Sequence, residues 1–229
     1  MNSDLEGRHV VVTGAAGGLG PAVVQALLAA GATCHLPRRK RADDERRDPR
    51  TVTVDGVDLA DEGAVRAFYA SLPPLWGSVH VAGGFQAAPL LDTALGDLRG
   101  QLELNLTTAF LCSREAARNM RAGRRGGRIV NVGSRAAAAP AGGSVAYTVA
   151  KAGVAALTQA VAAELRGDGI LVNAVLPSII DTPANRAAMP GADHARWPKP
   201  AEIAATIAWL ISPENALTSG ALVPVYGAA

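Results

Sequence analysis

Short apolar runs alternate along this chain with longer stretches rich in Ala and Leu, and glycine or proline stands at most of the changes between them. Residues 8–13 (RHVVVT) are rich in β-branched side chains and predict a strand; the glycine-rich GAAGGLG of 14–20 predicts a turn, and 21–30 a helix closed by Gly31. The same alternation predicts strands at 33–36, 52–57, 79–82, 128–132, 170–175 and 221–225. Between them it predicts a short helix at 61–71, a long one at 97–121, a nearly all-apolar one at 144–165 and another at 201–211 behind Pro200. Pro73 and Pro74 break the chain before the fourth strand, Gly83 and Gly84 end that strand, and 178–198 reads as irregular. Strands that are apolar throughout, separated by helices, predict an α/β fold of the Rossmann type: a doubly wound parallel sheet of about seven strands flanked by helices.

Composition narrows this picture. A chain of 229 residues, 49% of them hydrophobic, is long enough for a well-buried core and predicts a single dinucleotide-binding domain over 1–229. The 22 basic and 20 acidic side chains leave a net charge of +2, so no global field would recruit nucleic acid or a membrane. Residues 1–8 are polar and include Asp4 and Glu6, unlike a secretory signal, and Pro21 with its preceding glycines divides the apolar stretch 10–30 into core elements. Cys34 and Cys112 sit in apolar contexts and read as buried thiols of a reducing, cytoplasmic setting rather than a disulfide.

The helix at 144–165 carries only two charged side chains, Lys151 and Glu164, and Lys151 lies four residues beyond Tyr147, on the same face. A free phenol with a pKa near ~10 is a poor acid or base at neutral pH, and bringing it to ~7 takes about 4 kcal/mol. A cation ~4 Å away at an effective dielectric of ~20 supplies about that much. The spacing is equally served by a tyrosine packed in a core and a lysine reaching out to water. The strand, glycine turn and helix at 8–30 would let a diphosphate approach the backbone and rest on a helix N-terminus, although such turns also occur where nothing binds. After the second strand, Arg38 and Arg39 stand where an acidic residue would bond the ribose of NAD, and they suit the 2′-phosphate of NADP. A solvated charge run continuing through 40–48 is the other reading of those arginines.

Taken together, TGAAGGLG from Thr13, Asp58, VAGG from Val81, Asn105, Ser134, YTVAK from Tyr147 and the segment 177–182 resemble the classical short-chain dehydrogenase/reductase family over residues 8–227. Ser134 precedes Tyr147 by 13 residues, that family's usual spacing. The resemblance implies that Tyr147 exchanges a proton with a carbonyl or alcohol, that Ser134 holds the substrate oxygen, and that Lys151 lowers the tyrosine pKa and bonds the nicotinamide ribose. It implies for Asn105 a water-linked proton relay with Lys151. It places the diphosphate at Gly14, Gly18, Leu19 and Gly20, the adenine at Asp58 and Leu59, the adenosine ribose at Ala82 and Gly83, and the carboxamide at Ile180 and Thr182, with Pro177 beside them among the cofactor-binding residues. The chain departs from the family's pattern with His80 and Val81 where paired asparagines are usual, with Ser178 after Pro177, and with Gly17 where NADP-preferring members often carry a base.

The segment 183–198, with Met189, His194, Arg196 and Trp197, reads as a substrate loop that would join Phe85, Ala136 and Gly142 around a mostly apolar pocket for a small ketone or acyl thioester. Arg121, Arg124, Arg125 and Arg128 would suit an acidic carrier or, equally, a solvated helix end. A helix apolar on nearly every face predicts burial against both its own sheet and a second subunit, hence a homodimer or homotetramer. The expected function is reduction of a carbonyl by an NADP(H)-dependent oxidoreductase, with no metal. The alternatives are an NAD-dependent dehydrogenase of a hydroxylated metabolite and a nicotinamide-binding sensor without turnover.

Overall fold

The computed structural model describes residues 5–40 and 48–228. The continuation of the basic run at Arg41 and the mixed charges of 43–47 lie outside the described residues. Seven strands form one parallel sheet in the order β3-β2-β1-β4-β5-β6-β7: β1 His9–Thr13, β2 Thr33–Arg38, β3 Thr51–Asp55, β4 Gly77–His80, β5 Gly127–Val132, β6 Ile170–Pro177 and β7 Leu222–Val225. Among the described residues seven α-helices surround it: α1 Gly20–Ala29, α2 Glu62–Ala70, α3 Leu95–Gln101, α4 Thr108–Gly123, α5 Val145–Leu165, α6 Pro183–Ala188 and α7 Pro200–Ile211.

Alternation along the strands sends successive side chains to opposite faces. Val10 and Val12 of β1 enter the core under α1 and α7, whereas Val11 enters the one under α2, α4 and α5. The same division separates Val130 from Ile129 on β5 and Val175 from Val172 on β6. β3 departs from the expectation of strands apolar throughout, because as an edge strand it leaves Val52 42% exposed.

Several boundaries differ from the sequence expectation; β3 ends at Asp55 and β6 runs on to Pro177. β2 runs on through Pro37 to Arg38, because Pro37 falls beyond the last β1–β2 pair and no ladder bond to β1 is asked of it. β4 starts and ends earlier, so Ala82 and Gly83 lie in the turn beyond it. The single helix expected at 97–121 is three pieces: α3, a π-helical stretch Leu102–Thr107, and α4. The stretch 178–198 contains α6, which Thr182 caps by accepting from the Asn185 amide at 3.3 Å while Pro183 opens its first turn.

Both cysteines are buried free thiols, and burial pushes each pKa up to about 12. The span Val145–Asp168 is long and apolar enough to cross a membrane by length and composition, and here it packs along the sheet. Its exposed apolar positions, Val149, Ala152, Ala156, Ala160 and Ala163, fall on one stripe, with the exposed Gln159 and Glu164 on either side of it.

Candidate active site

The strand order reverses between β1 and β4, and a crevice opens there beyond their carboxyl ends. Gly14, immediately after β1, has φ +66°, and a Cβ on it would come within 2.6 Å of the Ala82 amide nitrogen beyond β4. Only glycine allows the two turns to approach so closely. Thr13 ties them further by accepting the Ala82 N–H on its hydroxyl at 3.2 Å. Gly20 packs on the carbonyl of Gly14, and Gly18 faces the Thr182 methyl, which an added Cβ would meet at 2.8 Å.

A cavity of 1970 Å³ runs from this turn across the strand ends to the far end of α6. It is lined by Gly14, Gly18, Leu19, Arg38, Arg39, Asp58, Leu59, Ala82, Gly83, Ser134, Tyr147, Lys151, Pro177, Ile180 and Thr182, which the sequence singled out. Gly20 and Asn105 do not line it, since both are buried one layer behind. The N-terminus of α1 opens on the cavity with no side-chain cap and no acidic residue in its first turn. A glycine-lined approach to an uncapped helix N-terminus fits a nucleotide diphosphate.

At the other end, Tyr147 in the first turn of α5 and Ser134, which ends the loop after β5, face the same cavity. The Ser134 hydroxyl accepts the Ala136 N–H at 3.2 Å. Lys151 is buried; its Nζ donates to the Val132 carbonyl at 2.8 Å and lies 5.9 Å from the Tyr147 ring centroid. Burial lowers the Lys151 pKa to about 8. The Tyr147 pKa is raised, burial being the larger cause and the Ser134 hydroxyl opposing it. The depression expected from a lysine one turn away is thus reversed here, because the ammonium is committed to the Val132 carbonyl and the phenol is desolvated.

Asn105 belongs to the π-helical stretch, where one extra residue per turn swings it toward the loop after β4. Its Oδ1 accepts the Gly84 N–H at 3.2 Å and its Nδ2 donates to the Gly84 carbonyl at 3.0 Å and to the Gln101 carbonyl and side chain at 3.2 Å. Gly83 lies against both polar groups: a Cβ there would sit 2.6 Å from Asn105 Oδ1 and 3.4 Å from Lys151 Nζ. The π turn and the missing Gly83 side chain together bring Asn105 beside Lys151.

At the β2–β3 end of the cavity, Arg38 forms an ion pair with Asp55 of β3, while Arg39 is exposed beside it. Asp58 shapes its own turn by accepting the Ala60 N–H at 3.0 Å. Of the substrate-segment residues, Phe85, Ala136 and Met189 line the cavity, whereas Gly142, His194, Arg196 and Trp197 do not. The reason is local: Trp197 is buried under the His194 ring at 4.5 Å, His194 bonds the Met189 carbonyl at 2.8 Å, and Arg196 donates to the Ala228 carbonyl at 2.9 Å. The basic cluster also disperses, with Arg121 paired to Asp168 and Arg128 buried over the Trp76 ring.

The sequence singles out Phe85 and His80, but their contacts are not legible in it. Phe85, 66% exposed, stands edge-on to Tyr147 with ring centroids 4.9 Å apart at 83°. Behind the site, His80 anchors a buried chain: Ser78 bonds Tyr69 and His80 Nε2 at 2.9 Å each, and His80 Nδ1 meets Asn131 Oδ1 at 2.8 Å. Asn131 then donates to Thr158 of α5 at 3.0 Å. The histidine thus joins β4 to β5 and, through Asn131, to the Tyr147 helix, and burial lowers its pKa to about 4.

The family model described as short chain dehydrogenase matches residues 8–192. The chain is 35% identical to the cis-4-hydroxycyclohexanecarboxylate dehydrogenase of Sinomonas cyclohexanicum, over 96% of this chain and 95% of that one. It is 34% identical to the galactitol 2-dehydrogenase of Rhizobium johnstonii, over 96% and 94%. A solved short-chain dehydrogenase/reductase of Serratia marcescens, a double-substituted variant, superposes with a TM-score of 0.85 at 28% identity over 98% of both chains. A seven-stranded parallel sheet, a glycine turn at its switch point and a Ser-Tyr-Lys cluster across the crevice agree with these matches: the chain belongs to the short-chain dehydrogenase/reductase family, the oxidoreductases that interconvert CH–OH and C=O with a nicotinamide cofactor.

Proposed function

We propose that this chain is an NADP(H)-dependent oxidoreductase that reduces the carbonyl of a small molecule to an alcohol, with Tyr147 as proton donor. The observation that carries the reading is the Tyr147 phenol, which shares with Ser134 and Lys151 the cavity that also holds the glycine turn. A raised phenol pKa keeps Tyr147 protonated at neutral pH, the state that a donor to a developing alkoxide needs. Ser134 holds the substrate oxygen within reach of that phenol. Lys151, fixed by Val132, orients the ribose edge of the cofactor and stands ready to restore the proton through Asn105 and solvent. Gly14, Gly18, Leu19 and Gly20 hold the diphosphate, Asp58 and Leu59 the adenine, Ala82 and Gly83 its ribose, and Pro177, Ile180 and Thr182 the carboxamide. The bound nicotinamide supplies the hydride.

The whole chain acts as one domain, in the cytoplasm, as a homodimer or homotetramer with the exposed stripe of α5 at a subunit interface. The dehydrogenases named above act, by their names, on hydroxylated small molecules, and a hydroxylated or keto compound of that size is the substrate class proposed here.

A second reading, an NAD-dependent dehydrogenase, is favoured by the Arg38–Asp55 ion pair, which engages one of the two arginines offered to a 2′-phosphate. Titration with NADPH and NADH, followed by quenching of tryptophan emission, tests the choice beside an R38A/R39A variant. Selective NADPH binding that the variant loses supports the first reading. Equal or better NADH binding in both proteins supports the second, and binding of neither overturns both.

A further inference from the structure

The amino ends of the strands, away from the crevice, carry a second cavity. It measures 470 Å³ and opens between the starts of β5 and β6, the 3₁₀ turn Arg166–Asp168 that follows α5, and the loop between α7 and β7. That size falls within the range of small-ligand sites, about 300–1,000 Å³. Arg128 and Arg166 line it, and among the described residues no carboxylate does. Asp168, in the same turn as Arg166, is engaged by Arg121 at 2.6 Å.

Arg128 is the unusual member of the pair. It sits on β5 at 7% exposure, and a guanidinium keeps its charge at any working pH. It lies over the Trp76 ring, 4.9 Å from the centroid, with Arg8 over the same ring at 3.7 Å. Its Nη1 donates to the Gly127 carbonyl at 2.9 Å, whereas its Nε is buried with no hydrogen-bond partner. Burial, and after it the charge of Arg8, pull the Arg128 pKa down. Buried charges are ordinarily paired, because an unpaired one gives up its hydration without a counter-charge to replace it. Among the described residues no acidic side chain pairs with Arg128, and the open space its side chain reaches is this cavity.

The remaining wall supplies further donors and an apolar side. Arg166 is exposed and forms no ion pair among the described residues. Ser219 accepts the Val172 N–H on its hydroxyl oxygen at 3.1 Å, which leaves its O–H as a donor. Leu171 and Leu217 make the apolar side, with Leu217 93% exposed. We infer that this cavity binds a small organic oxyanion, its phosphate or carboxylate held by Arg128 and Arg166 and its hydrocarbon part laid on Leu171 and Leu217. Two guanidiniums suit the higher charge of a phosphate monoester better than that of a carboxylate. The site is separate from the active site proposed above and takes no part in the proton transfer.

Binding of hexyl phosphate, hexanoate, inorganic phosphate and 1-hexanol tests this, measured by calorimetry and by the indole N–H resonance of Trp76, on which Arg128 rests. R166Q alters an exposed side chain and should fold as wild type does; R128K keeps the buried charge but loses the fork of donors. Hexyl phosphate is expected to bind wild type and shift the Trp76 resonance, with hexanoate weaker. R166Q should weaken hexyl phosphate about tenfold, the loss of one charge-assisted hydrogen bond, and R128K should weaken it as well. An affinity unchanged in R166Q together with an unmoved Trp76 resonance would put the ligand in the nucleotide cavity and overturn the inference. Hexanol bound as tightly as hexyl phosphate, or no binding of either oxyanion, overturns it too. Inorganic phosphate bound as tightly as hexyl phosphate overturns the apolar half of the assignment. Hexanoate bound as tightly as hexyl phosphate supports the oxyanion site and gives it to carboxylates. Should R128K fail to fold, R166Q and the Trp76 shift decide.

Discussion

Lys151 Nζ donates to the main-chain carbonyl of Val132 at 2.8 Å, fastening the Tyr147 helix to the end of β5 through a buried amine. Burial lowers the lysine pKa from 10.5 to about 8. Between those values the unfolded chain binds more protons than the folded one, so this group's contribution to stability rises with pH from about 8 to 10.5 and is lost as pH falls back through that window. Urea unfolding of wild type and K151M from pH 7 to 10.5 isolates it, because the cysteine and tyrosine titrations are common to both. Wild type is expected to gain on the order of 3 kcal/mol relative to K151M across the window. Parallel curves would show the lysine pKa to be ordinary.

Tyr147 carries the opposite sign. Its pKa is raised above the ordinary tyrosine value, so Tyr147 of the cofactor-free protein should stay protonated at neutral and mildly alkaline pH. The difference in absorbance at the phenolate band between wild type and Y147F, followed from pH 6 to 11, measures this directly. A phenolate forming near pH 7 to 8 would restore the lysine-driven depression that the sequence spacing suggests.

The contrast shows where the sequence is legible. The four-residue spacing of Tyr147 and Lys151 places both on one helix face, as read, because helical periodicity is local. What each nitrogen and oxygen bonds is tertiary, and the Val132 carbonyl that takes up Lys151 has no sequence signature. The glycine turn was legible for the same local reason: the φ of +66° and the close approach of Ala82 are demands that only glycine meets. The π-helical stretch was not, since Leu102–Thr107 contains neither Gly nor Pro and its widening is fixed by Asn105 bonding Gly84, 21 residues away. Helix α6 had a readable signal, Thr182 followed by Pro183, that the irregular look of the surrounding residues obscured.

Gly83 should be intolerant of any side chain. An alanine Cβ would fall 2.6 Å from Asn105 Oδ1, and Asn105, held by four hydrogen bonds, has little room to move. G83A is expected to displace Asn105 or Lys151 and to lower kcat/KM about a hundredfold, the scale for misplacing a reacting group by about 1 Å. Its melting temperature should move far less than its activity. Steady-state rates alongside thermal melts check this, and an active G83A would mean that the Asn105 geometry is not needed for turnover.

His80 and His35 make the fold acid-sensitive. Burial holds both near pKa 4, His35 with a further push from His9, whose Nδ1 lies 3.0 Å from His35 Nε2. An unfolded histidine titrates at 6.5, so the stability that each neutral ring contributes is present above pH 6.5 and lost as pH falls toward 4. H80N should start less stable than wild type at pH 7 but lose less between pH 6.5 and 4. Equal losses in chemical denaturation would mean that His80 does not stay neutral in its buried chain.

The exposed side of α5 carries the prediction on assembly. Val149 (47% exposed), Ala152, Ala156, Ala160 and Ala163 line it, and Phe110 of α4 is 44% exposed. Small side chains on an exposed helix face let a second helix approach closely, and a glutamate in the middle of that stripe would force a charge into the contact. Light scattering behind gel filtration should therefore find wild type at two or four times the chain mass and A156E shifted toward the monomer. Because Ala156 faces away from the sheet, the substitution should leave the fold and its circular dichroism unchanged. A wild type that stays monomeric at all concentrations, or an A156E oligomer as stable as wild type, would place the interface elsewhere or remove it.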